Sequence, residues 1–182
     1  MQRIDGRFIF SASDLNNALE CDHLTQLEAL AARRELTRPE PSETAALLAR
    51  KGDEHELRQL DRFRAEYGAA LVTFPAQSGH SFEQLAQAQE RTVAAMATGA
   101  PLIYQGTFFD GTFLGRTDFL RRVEQPSAHW PWSYEVIDVK LALIPKPYYL
   151  VQLAHYSAHL AAIQGRAPRQ MHVLLGSGTE RA

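Results

Sequence analysis

The sequence predicts an α/β domain in which a mixed central sheet is flanked by helices, with a helical layer at the N-terminus. Three observations predict it. Apolar residues in the first hundred positions recur at helical spacing. At Pro101 the period changes to two, in LIYQGTFFDGTFLGRTDFLRRV. One further helical pattern then returns between two strands, SYEVIDVKLAL and MHVLLG. A chain of 182 residues falls within the ~100–200 residues of one domain. Residues 1–182 are therefore read as a single unit, with 1–40 as the helical layer and 42–182 as the core.

The elements follow from local chemistry. Ser11 with Asp14 makes a capping-box pattern ahead of Leu15, Ala18 and Leu19, and Asp22 can cap a second helix carrying Leu24, Leu27 and Leu30. The prolines of Arg38–Glu43 (RPEPSE) stop that helix. Ser42 then opens a helix of about 25 residues, closed by Gly68. AALVTF reads as a short strand. Ser81 with Gln84 caps a helix whose stripe is Phe82, Leu85, Gln89, Val93 and Met96. Asp110-Gly111 between two aromatic and β-branched runs signals a hairpin. Pro147 starts a last helix, which runs to Gln164 with Gly165 just past it. GSGTERA follows the last strand without a closing element, which predicts a domain cut from a longer polypeptide.

Composition excludes several classes. A hydrophobic share of 45% and a charged share of 22% are globular values, not those of a disordered tail or a membrane bundle. No apolar run approaches the ~20 residues of a membrane span, and MQRIDGRFIF does not read as a signal peptide. The single Cys21 cannot pair within the chain or build a cysteine-ligated cluster, so a cytoplasmic protein is expected. The net charge of −2 argues against a generally DNA-avid surface. The charge is uneven, however. Residues 1–110 carry 11 basic and 16 acidic side chains, whereas residues 111–182 carry 8 and 5, so a polyanion should meet the second half.

Four places carry chemistry. On SYEVIDVK, Asp138 and Lys140 share one face, ~7 Å apart along the strand, while Glu135 faces the other way. Asp118 lies mid-strand among apolar neighbours. If its strand pairs with the next, Asp118 and Asp138 converge, and two close carboxylates call for a cation. A hard divalent ion, Mg²⁺ or Mn²⁺, suits oxygen ligands. His55 lies on the long helix one turn after Gly52, a glycine that can admit the sheet or a ligand. Gln152 and Tyr156, four apart on the last helix, can reach one phosphate or base. Each feature also has a plainer reading: an Asp capping a bulge, an ordinary polar His, an amphipathic helix with a polar rim. Arg116, Arg121, Arg122 and Lys146 are candidate phosphate contacts or solvated surface. Trp130 and Trp132 can stack on bases or pack under a loop.

Taken in order, Gly52/His55, GRTDFL, YEVIDVK and QLAHY resemble the RecB-like nucleases of the PD-(D/E)xK superfamily, and SASDLNNALECDHLTQLE adds to the match. The segment resembles the N-terminal nuclease module of bacterial nuclease–helicase fusion proteins. The resemblance covers about Phe10 to Gly176 and implies a restriction-endonuclease-like core. It further implies a metal site of His55, Asp118, Asp138 and the Val139 carbonyl. Asp118, Asp138 and Lys140 would be catalytic, Lys140 activating water and stabilising the phosphate. Gln152 and Tyr156 would position the strand, helped by Arg116, Arg122 and Lys146. The expected function is Mg²⁺- or Mn²⁺-dependent hydrolysis of single- or double-stranded DNA in repair, recombination or processing beside a helicase or RNase H-like module. The alternative is a non-catalytic nucleic-acid- or helicase-binding module on the same fold.

Overall fold

The computed structural model describes residues 1–75 and 81–182. A hairpin opens the chain, β1 (Gln2–Ile4) and β2 (Arg7–Ile9), followed by α1 (Ala12–Glu20), α2 (Asp22–Ala32) and α3 (Glu43–Tyr67). Then come β3 (Leu71–Thr73), α4 (Phe82–Ala97), β4 (Leu102–Phe109), β5 (Leu114–Val123) and β6 (Ser133–Lys140). The chain continues with α5 (Pro147–Gln164), β7 (His172–Leu175) and β8 (Glu180–Arg181). Strands β3 to β8 form one six-stranded sheet in sequence order. It is mixed: β3–β4 and β6–β7 are parallel and the other pairs antiparallel.

The α/β class, the five helices and the mixed sheet agree with the pattern read from sequence. The Asp14 carboxylate accepts from the Ser11 backbone N–H at 2.8 Å, and Ser42 Oγ accepts from Ala45 N–H at 3.2 Å. Two elements depart from the expectation. Within the helical layer expected over residues 1–40, the first nine residues form a hairpin, because Asp5 and Gly6 sit at φ 48° and 79°, the conformation of a two-residue hairpin turn. The tail after β7 turns back as β8 and pairs Leu174 with Glu180, so a closing strand is present. Among the described residues no helix is long and apolar enough to cross a membrane.

Strand alternation divides the core into two faces. Val136 and Leu120 meet α5 through Leu153 and Leu160, whereas Ile137 and Phe119 meet α3 through Leu60 and Phe63. Leu150 of α5 is 51% exposed. Helix α3 is ~37 Å long at 1.5 Å per residue, but its first turns are exposed and its buried side chains begin at His55. β3 covers β4 only from Leu102 to Tyr104. Beyond that point α4 takes over the edge: Thr92 Oγ1 accepts from Thr107 N–H at 2.9 Å and Gln89 Oε1 from Phe109 N–H at 2.7 Å. Side-chain acceptors thus stand in for a missing strand.

Thr92→Val keeps the shape but leaves the buried Thr107 N–H unpaired. Urea unfolding should register a loss of about 1–3 kcal/mol, and an unchanged midpoint would contradict this account of the β4 edge.

Candidate active site

The site forms where two ladders stop. β5 and β6 pair from Val123↔Ser133 to Phe119↔Ile137, and the next residues across are Asp118 and Asp138. On its other side β5 pairs with β4 at Tyr104↔Phe119 and again at Gly106↔Thr117, skipping Gln105 opposite Asp118. Gln105 sits at φ 58°, a left-handed conformation that costs a non-glycine residue energy. At this gap Asp118 Oδ2 accepts from Val139 N–H at 2.6 Å, a hydrogen bond that replaces the interrupted ladder.

Asp138 is 1% exposed. Its Oδ1 accepts from Gln152 Nε2 at 3.0 Å, and its Oδ2 lies 3.0 Å from Lys140 Nζ. That ion pair is out of line for a hydrogen bond, so Oδ2 is buried without a hydrogen-bond partner. Lys140 Nζ donates to Gln152 Oε1 at 3.1 Å. Gln152 therefore bridges carboxylate and ammonium, oxygen toward the lysine and nitrogen toward the aspartate, which assigns the orientation of its amide. Gln152 Nε2 also reaches Tyr156 Oη at 3.4 Å, and Lys140 Nζ lies 5.3 Å from the centre of the Tyr149 ring.

The electrostatics follow from the crowding. Burial, then the charges of Asp138 and Glu56, raise the Asp118 carboxyl well above the usual range. Burial raises Asp138 as well, against the opposing pull of Lys140. The Tyr156 hydroxyl is pushed up to about 12, by burial first and then by the two aspartates. Its ring lies on β5 because residue 115 is glycine: a Cβ there would stand 2.5 Å from Tyr156 Cε1.

Helix α3 supplies two more groups. His55 is 3% exposed, its Nε2 has no hydrogen-bond partner, and burial lowers its pKa while its contact with the Leu175 backbone raises it. Glu56 escaped the sequence reading. Its Oε1 accepts from Gln105 Nε2 at 2.6 Å, and its charge acts on both aspartates. A polar Gln in the register position opposite Asp118 was the available signal. Gly52 is not a point of close approach, since a Cβ there would meet nothing within 4 Å.

The structure thus brings together Asp118, Asp138, Val139, Lys140, Gln152 and Tyr156. Arg116 lies two residues from Asp118 on the same strand face, and its backbone meets Tyr156. Lys146 precedes α5, its Nζ 5.7 Å from the Tyr148 ring. Arg122 lies elsewhere, bound to the Gly99 carbonyl at 3.0 Å and Glu124 at 2.7 Å, under the Trp132 ring. Arg121 is held by Glu180 at 2.6 Å. Trp132 packs under its loop and donates to the Met96 carbonyl at 3.0 Å. Among the described residues no three His, Cys, Asp or Glu side chains already enclose a point where a metal would sit. The two crowded carboxylates nonetheless suit a hard cation, although Asp138 Oδ2 is already ion-paired with Lys140. His55 meets the Leu175 backbone, and among the described residues no interaction joins it to either aspartate.

Comparison with protein-family models, with curated proteins and with solved structures gives no match for this chain.

A carboxyl whose pKa rises on folding stabilises the fold below its unfolded value, ~3.9 for Asp, and loses that contribution as pH rises through the folded value. Asp118→Asn should therefore unfold at a higher temperature than wild type near neutral pH without divalent ions. The expected gain is roughly 2–4 °C per kcal/mol relieved, closing as the pH approaches ~4. Thermal melts across pH check this, and a lower melting temperature at neutral pH would contradict the repulsion.

Proposed function

We propose that this protein is a Mg²⁺- or Mn²⁺-dependent deoxyribonuclease, a RecB-like member of the PD-(D/E)xK superfamily on a restriction-endonuclease-like core. Its setting would be DNA repair, recombination or processing beside a helicase. One observation carries the reading. A buried carboxylate, Asp138, and a half-buried one, Asp118, from neighbouring strands meet where their ladder opens, with an ammonium bridged to Asp138 by a glutamine.

In this reading Asp118 and Asp138 would hold the cation, with His55 and the Val139 carbonyl as the further ligands that the resemblance implies. When bound, the metal supplies a polarised phosphoryl oxygen and a water of lowered pKa. The remaining work belongs to the chain. Lys140 places a compact positive charge beside the scissile phosphate and orients the attacking water. Gln152 fixes Lys140 against Asp138, so neither must be repositioned when substrate arrives. Tyr156 contacts the strand being cut, whereas the Arg116 side chain, next to Gly115 in β5, points to the opposite face from the Tyr156 ring and meets Tyr156 through its backbone. A second reading, a binding module without hydrolysis, is favoured by the direct Asp138–Lys140 ion pair at 3.0 Å, in which the two charges can satisfy one another.

Purified protein incubated with linear single- and double-stranded DNA and Mn²⁺ separates these readings. Wild type should cut, and Asp138→Ala and Lys140→Ala should each be slower by about a hundredfold or more. Equal rates for all three would end the nuclease reading. DNA retained without cleavage would support the binding module.

A further inference from the structure

Helices α1 and α5 leave a groove of about 630 Å³ between them, walled by Asn16, Asn17 and Leu19 on one side and Pro147, Tyr148 and Val151 on the other. The volume lies in the range of small-molecule pockets, ~300–1,000 Å³. Its walls join apolar surface to a few amides, and Asn16 Oδ1 has no hydrogen-bond partner. Tyr148 is 47% exposed and Leu19 73%, so a flat ring and an aliphatic side chain stand open at the groove. Helix α5 carries both the groove wall and the site's Gln152 and Tyr156. Tyr148, Gln152 and Tyr156 are successive i, i+4 positions on one stripe of α5. Tyr148 packs edge-on against Tyr149 at 4.6 Å, and the Tyr149 ring in turn lies 5.3 Å from Lys140 Nζ.

We propose that this groove receives the unpaired bases of single-stranded DNA, with Tyr148 as the stacking platform. The proposal rests on the nuclease reading and names the form of its substrate. The charge distribution sets the orientation of the strand. The charged side chain in the groove wall is Glu20, which repels phosphate, whereas Lys146 stands beside the Tyr148 ring, its Nζ 5.7 Å from the ring centre. Bases therefore turn into the groove and phosphates toward Lys146 and the catalytic residues. Aromatic rings accept any base by its face, and amides can meet base edges. A duplex keeps its base faces stacked and presents phosphates, so it cannot fill this groove in the same way.

Fluorescence anisotropy in EDTA, with an oligothymidylate of about 16 nucleotides and a duplex of equal length, tests the proposal. The single strand should bind more tightly. Tyr148→Ala should weaken it about tenfold while Tyr148→Phe stays within about twofold of wild type. Strands carrying 5-iododeoxyuridine should crosslink to Tyr148 under ultraviolet light. Unchanged affinity in Tyr148→Ala, equal duplex binding or crosslinks only elsewhere would overturn the groove assignment. So would the absence of nucleic-acid binding, which leaves the groove to a protein partner. The same proteins assayed with Mn²⁺ separate the two claims. Cleavage with Tyr148-independent binding removes the groove alone, and Tyr148-dependent binding without cleavage removes the nuclease reading alone.

Discussion

Two carboxylates placed side by side, one buried and one half-buried, constrain everything around them. Asp118 and Asp138 stand across from each other at the step where β5 and β6 stop pairing. Burial favours the protonated form of both, the charge of Asp138 adds to this at Asp118, and Lys140 opposes it at Asp138. The protein offers partial relief: one backbone N–H for Asp118, and one amide and one ammonium for Asp138. What remains is an excess of negative potential in a gap between strands, sharpened by Glu56. A group so arranged is poorly explained by stability, since an apolar pair would pack there at less cost.

A second charged cluster shows the contrast. On the α3 side of the sheet, His172 meets Glu135 through Nε2 at 2.8 Å and Glu180 through Nδ1 at 2.9 Å, and Arg121 meets Glu180 at 2.6 Å. Glu135 also accepts from the Gln170 N–H at 3.1 Å. The cluster ties β8 to the sheet, and each of its carboxylates meets the His172 imidazole. The two sets occupy opposite faces of the same strand β6, one balanced and structural, the other acidic and strained. Burial does not separate the two sets, for Glu135 and Asp138 are both nearly inaccessible, at 4% and 1%.

The scaffold around the acidic gap is built by small allowances. Gly115 lets the Tyr156 ring lie on β5, Gln105 takes up a left-handed backbone opposite Asp118, and α5 threads Gln152 between Lys140 and Asp138. Each allowance costs the fold something: a missing side chain, a strained dihedral, an amide withdrawn from water. They gather at one place in the sheet, as local departures from regular structure do where a site must be shaped.

The sequence alone determined what depends on period and punctuation. The long helix from Ser42 to Gly68, the Asp110-Gly111 turn, the strand alternation that sends Asp138 and Glu135 to opposite faces, and the i, i+4 pairing of Gln152 with Tyr156 are local properties of the chain. The Asp5-Gly6 hairpin was equally local and is a turn signal that the helical pattern after it obscured. Tertiary structure alone decided what depends on register and approach. That Phe119↔Ile137 is the last pair, so that Asp118 faces Asp138, follows from how two strands align, and no single strand encodes it. The same holds for Glu56, which reaches Gln105 from 49 residues away, and for Arg122, drawn from the site by the Gly99 carbonyl and Glu124. Residue type and spacing set which side chains can share a face, while the packing of separate elements sets which of them meet.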